Sequence, residues 1–114
     1  MKITAGIGNA LLLMSLAPQP AYCGDATGTI TELIMLIDVP DRLLIRVSGA
    51  NGSPAPCTGQ SNPYYVFDTS TNMGKQIYAA LLAAKHANAA ITLHGFGTCN
   101  LRSNTEDLRG ITQT

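Results

Sequence analysis

The sequence predicts a small, mainly β domain with a single helix. Three observations predict it. Residues 68–88 carry helical periodicity with capping residues at both ends. Runs rich in β-branched and aromatic residues lie on both sides of that stretch. The length, 114 residues, holds one domain and not two.

The start of the chain reads as a leader. Met1 and Lys2 are weakly basic, residues 3–16 are mostly apolar, and Pro18 and Pro20 break the run. This is the pattern of a secretory signal peptide, and it is too short for a membrane span. Ala21 and Cys23 fit the small residues that precede a cleavage site, so the cut is expected between Cys23 and Gly24. Residues 1–23 are read as signal peptide, residues 24–114 as one domain, and the location as secreted or periplasmic. The cut leaves Cys57 and Cys99, an even pair that reads as a disulfide in an exported chain.

Residues 24–28 form a polar, glycine-bounded start. Residues 29–37 read as a long first strand, with Ile30, Ile34 and Leu36 on one face and Leu33, Met35 and Ile37 on the other. Residues 38–41 read as a turn with Pro40 at its second position. Residues 42–48 alternate cleanly, Leu43, Ile45 and Val47 facing inward. Residues 49–63 are rich in Gly, Pro, Asn and Ser and read as a long loop tied down by Cys57. Residues 64–68 give a short third strand.

The helix follows. Residues 68–71 offer several N-caps and Asn88 suits the left-handed closing position. Met73, Ile77 and Leu81, with Ala80 and Ala84, make a core-facing stripe. The opposite face carries Lys75, Ala79, Leu82, Ala83 and His86. It is short of charge, so Ala79, Leu82 and Ala83 are candidates for a subunit interface. Residues 90–97 read as the fourth strand, where Gly95 and Gly97 mark a bend or a close backbone approach. Residues 106–112 read as the last strand, with Leu108 and Ile111 inward. Strand, strand, strand, helix, strand, strand is the order of a five-stranded, OB-fold-like Greek-key barrel. An open α+β sandwich is the alternative.

Composition excludes some functions. Seven basic residues balance seven acidic ones, with no basic patch, so nucleic acid is not expected as a partner. His86 and His94 are the only histidines and fall on different elements. No nucleophile elbow, metal-type spacing or phosphate loop is present, so neither enzyme activity nor a cofactor is expected. Asp38 and Asp41, and the pair Glu106 and Asp107, read as solvated charges. The best recognition candidate is Asn62-Pro-Tyr-Tyr65. An amide beside aromatics suits sugar stacking and hydrogen bonding, so Asn62, Tyr64 and Tyr65 are the candidate ligand residues, with one tyrosine expected to turn into the core.

Several short pieces carry a resemblance. Gly24-Asp-Ala26, Cys57 before the third strand, the Tyr78-bearing helix and Gly95-Phe-Gly-Thr-Cys99 resemble the receptor-binding B subunits of AB5 toxins, the subtilase-cytotoxin group in particular. The resemblance implies an exported OB-fold subunit in a five-membered ring, its pore lined by helices. It implies a glycan or host receptor as ligand and an enzymatic A subunit as partner. The segment after Gly24-Asp-Ala26 is shorter here, and no binding residue is carried over from it. The alternative function is a periplasmic OB-fold protein that binds a protein or small ligand without assembling.

Overall fold

The computed structural model describes residues 24–59 and 62–113. The expected signal peptide lies outside the described residues. Along the chain come β1 (Asp25–Met35), β2 (Arg42–Val47), a 3-10 turn (Pro56–Thr58), β3 (Tyr65–Asp68), α1 (Asn72–Ala87), β4 (Ala90–Gly95) and β5 (Glu106–Gln113). The chain is therefore mainly β, with one α-helix and a five-stranded sheet among the described residues. In space the strands do not follow chain order. They run β1-β2-β3-β5-β4, and β4 returns to pair with β1. Every pairing is antiparallel except β3 with β5, which run parallel over Tyr65↔Glu106 and Val66↔Asp107.

β1 begins at Asp25, not at residue 29 as the sequence led us to expect. Ala26 is the only apolar residue near its start, so the alternation was too weak to read. Asp25–Thr29 pairs with β4, and Ile30–Met35 pairs with β2. A bulge between Ile30 and Glu32 separates the two halves. One extra residue turns the following side chains to the other face. Ala26 and Ile30 enter the core before the bulge, and Leu33 packs against it afterwards. Ile34 is thereby parted from Ile30, with which it was expected to share a face. The strand ends at Met35, and Ile37 is 99% exposed in the turn. That turn closes with the Val39 amide donating to Leu36 O at 3.2 Å, so Ile37 and Asp38 are central and Pro40 lies beyond it. Asp41 then takes a left-handed conformation, φ 62°.

The core is the meeting of the inward faces. Leu43, Ile45 and Val47 of β2 meet Tyr65 and Phe67 of β3, Ile91 and Leu93 of β4, and Leu108 of β5. α1 covers one end with Leu81 and Ala84, both buried. Its N-cap is Thr71, whose hydroxyl accepts from the Gly74 amide at 2.9 Å, and Asn88 closes it in the left-handed region at φ 55°. Gly74 packs on the Asp68 carbonyl so closely that a Cβ would fall 1.9 Å from that oxygen. The expected stripe holds for Leu81 and Ala84, and partly for Ile77. It fails for Met73, which is 62% exposed. Met73 sits in the first helical turn, beside a groove that includes Arg109 and Gly110. Ala79, Leu82 and Ala83 are all on the exposed face.

Glu106 and Asp107 correct another expectation. They are 1% and 5% exposed, not solvated. Glu106 accepts from the amides of Gly24, Ala55 and Gly97 and from Asn51 Nδ2. Asp107 accepts from Thr98 Oγ1 at 2.6 Å and from the amides of Asn100 and Leu101. Buried carboxylates persist where donors replace water. Here two adjacent acids at the start of β5 organise both long loops. Cys57 and Cys99 are joined as expected, with Cα atoms 6.1 Å apart, and the bond ties the same two loops together. Among the described residues no helix is long and apolar enough to cross a membrane.

Candidate ligand groove on the outer sheet face

The alternation that sends Leu43 and Ile45 inward sends Leu44 and Arg46 outward. Register then aligns the outer residues. Glu32 stands opposite Arg46, and Ile34, Leu44 and Val66 form one cross-strand row. Val66 is fully buried without belonging to the core cluster. An open groove of about 490 Å³ runs over this face, lined by Ile34, Leu36, Leu44, Tyr64, Arg102 and Asn104 among others. The floor is apolar and the rim is polar, the usual composition of a small-molecule site.

Tyr64 is the aromatic wall. Its hydroxyl donates to Glu32 Oε1 at 2.5 Å. The Arg46 guanidinium lies 5.9 Å from the ring centroid, within cation–π reach. Arg46 also approaches Glu32 at 3.6 Å. The three groups hold one another, and the Glu32 hydrogen bond pushes the Tyr64 phenol above its ordinary pKa, helped by burial and partly opposed by Arg46. Arg102, across the groove, has no carboxylate partner among the described residues.

The expected ligand residues divide. Tyr64 is half-buried at the groove. Asn62 also lines it, but its amide is committed. Nδ2 donates to Asn104 O at 2.7 Å and Thr105 Oγ1 at 3.1 Å, and Oδ1 accepts from the Tyr64 amide at 2.9 Å. Asn62 therefore positions Tyr64 and Asn104. Tyr65 is 1% exposed, and its hydroxyl donates to Gly24 O. It is a core residue and offers no surface to a ligand. Burial, reinforced by the Glu106 charge, raises its pKa well above the ordinary value. Glu32, Arg46, Arg102 and Asn104 were not singled out from the sequence. Only the register of β1 on β2, and the fold of the β4–β5 loop, bring them together.

A second cluster lies elsewhere on the outer face, where β1, β4 and β5 meet. His94 Nδ1 lies 3.3 Å from Asp25 Oδ1, and its Nε2 lies 2.7 Å from Thr112 Oγ1. This carboxylate–imidazole–hydroxyl order is that of a nucleophile relay. Acyl transfer also needs donors set for an oxyanion. Here Asp25 pairs directly with His94, and Thr112 lies two residues along β5 from His94's partner Gly110. Sheet register alone accounts for the meeting. Among the described residues no group of three or more His, Cys, Asp or Glu gathers as a metal site would need.

Comparison of the chain with family models, with curated proteins and with solved structures gives no match.

Proposed function

We propose that the protein is an exported carbohydrate-binding module on an OB-fold Greek-key barrel, of the toxin B-subunit type, and that it works as a ring. The groove with Tyr64 as its wall is the observation that carries this reading. In OB-folds the face of strands 2 and 3, with the loop between strands 4 and 5, takes oligosaccharides and oligonucleotides. The groove uses that same region: Leu44 from β2, Tyr64 immediately before β3, and Arg102 and Asn104 from the β4–β5 loop. An aromatic wall suits stacking on a sugar ring. The Arg102 guanidinium at the groove favours an acidic saccharide over a neutral one. A near-neutral chain argues against an oligonucleotide in the same groove.

Assembly has its own support. Residues 30–35 of β1 pair on one side only, with β2, and residues 111–113 of β5 pair only with β4. These are two different half-edges. A closed ring needs a heterologous contact between two different surfaces, and strand edges are ready templates for such pairing. Ala79, Leu82 and Ala83 are small or apolar and would let helices approach around the axis. Several weak sites on one ring raise avidity without any new contact.

The test is a glycan array read on the purified exported protein and on Tyr64→Ala, with light scattering for mass. We expect binding to acidic glycans that falls at least tenfold in Tyr64→Ala, and a multiple of the subunit mass that Leu82→Glu reduces to the monomer without unfolding it. A strict monomer at micromolar concentration removes the ring. Absence of glycan binding by an intact ring removes the receptor role.

A further inference from the structure

Glu106 poses a problem that the groove leaves unsolved. It is 1% exposed. Its carboxylate accepts from four N–H donors: Gly24 N at 3.3 Å, Ala55 N at 3.3 Å, Gly97 N at 3.1 Å and Asn51 Nδ2 at 3.0 Å. None of them is charged. The ion pairs among the described residues are Arg42–Asp68, Arg46–Glu32 and His94–Asp25, and none reaches Glu106. The four donors replace the water that burial removes, but no opposite charge among the described residues stands beside this carboxylate.

One of the four donors can acquire a charge by chemistry the sequence already indicates. Hydrolysis of the Cys23–Gly24 peptide bond adds water across it. The carbonyl carbon leaves as the carboxylate of Cys23, and the Gly24 nitrogen becomes a primary amine that is protonated at neutral pH. We infer that this cut sets the new α-ammonium of Gly24 on the buried Glu106 carboxylate, so that leader removal completes an ion pair inside the fold. The inference rests on the exported reading given above.

The surroundings of Gly24 are built for one residue. Its carbonyl is held by the Gly95 amide at 2.9 Å and the Tyr65 hydroxyl at 3.1 Å. A Cβ would fall 1.9 Å from Asn51 Oδ1 and 2.4 Å from the Ser53 carbonyl oxygen. Only glycine can follow the cut and still reach Glu106. Gly95 makes the same demand from the other side, since its Cβ would lie 1.7 Å from Glu106 Oε2. The small residues Ala21 and Cys23 place the cut at this bond from the sequence, and the position of Glu106 places a counter-charge there independently.

The test compares one chain with its amine free and acetylated. Acetylation restores a neutral amide at Gly24, so it removes the charge without a foreign shape. The full-length protein is expressed for export and cut before Gly24, and urea melts are run on both forms. We expect acetylation to lower the folding equilibrium constant at least tenfold in the parent and less than threefold in Glu106→Gln. Equal losses in the two backgrounds overturn the pair. Should Glu106→Gln not fold, the parent alone decides. The ammonium is favoured by Glu106, so its pKa in the folded chain is raised above about 7.7–8.0, the free α-amine range. The free-amine advantage is then full below that range and fades as pH rises through the higher folded value. The other titratable groups nearby, Tyr65, Asp25 with His94, and Asp107, are common to both forms. An advantage that stays constant from pH 6 to 10 (on the order of the range in which amines titrate) also overturns the pair. Intact mass of the exported protein tests the leader separately: a first residue other than Gly24 overturns the cut and not the acetylation result.

Discussion

Removing the Asp107 carboxylate should loosen the β4–β5 loop at a cost that the structure lets us work out. The side chain is 5% exposed and serves three donors: Thr98 Oγ1, Asn100 N and Leu101 N. A hydrogen bond to a charged group contributes about 1.5–3 kcal/mol when fully buried. Thr98 and Asn100 are themselves exposed, so water can replace part of what is lost. Asp107→Ala should therefore cost about 2–4 kcal/mol, less than the full sum. Asp107→Asn should cost roughly half as much, because its oxygen can still accept from the backbone while its NH₂ turns to the Thr98 hydroxyl. Urea melts at pH 7 with the disulfide intact measure both. Hydrogen exchange should speed up at the Asn100 and Leu101 amides before it does at Leu93 in the core. A melt of Asp107→Ala that overlays the parent would refute the reasoning, because the loop would then be held by the disulfide alone.

Two further outcomes follow from packing and charge. Leu81→Ala should cost about 2–5 kcal/mol as a large-to-small change at a fully buried site, and Met73→Ala within about 0.5 kcal/mol; denaturant melts in the reverse order would mean the helix is rotated from the phase described. In an absorbance titration of phenolate, Glu32→Gln should bring Tyr64 ionisation back toward the ordinary value. Its raised pKa means that the Tyr64–Glu32 contact supports folding below about pH 10 and is lost as pH rises through the folded-state value, so an unchanged titration in Glu32→Gln would remove that contact.

The helix was legible because its signals are local. Thr71 and Asn88 cap it by their own side chain and conformation, and Leu81 and Ala84 follow from periodicity. Met73 was not, because periodicity gives a direction around the helix but not where the covering sheet stops. The start of β1 was hidden by Asp25, Thr27 and Gly28, and its change of face by a bulge that no local residue marks. The disulfide could be read by counting, since one pair remained. Tyr64 was legible as an aromatic on a loop edge. Its partners Glu32 and Arg46 were not, because only strand register puts them beside it. The burial of Glu106 depends on Gly97, nine residues before it, and on Gly24, Asn51 and Ala55, all more than 50 residues away. One trace of it was visible: Gly95 had the look of a close approach, and what approaches is the Glu106 carboxylate.

The bulge in β1 also divides the strand in time. Its second half finds β2 across a short loop, as in the contact of Thr31 with Arg46, 15 residues away. Its first half must wait for β4, as in Thr27 with Thr92, 65 residues away. The longer closure costs about 1 kcal/mol more chain entropy by length alone, and pairings of long reach form slowly. A chain emerging from its N-terminus can thus build the β1–β2 hairpin at once but cannot shut the sheet until β4 has followed. Through that interval the first half of β1 lacks its β4 neighbour, and Glu106 has not yet reached Gly24. Any protease that trims the chain ahead of Gly24 has that interval in which to act.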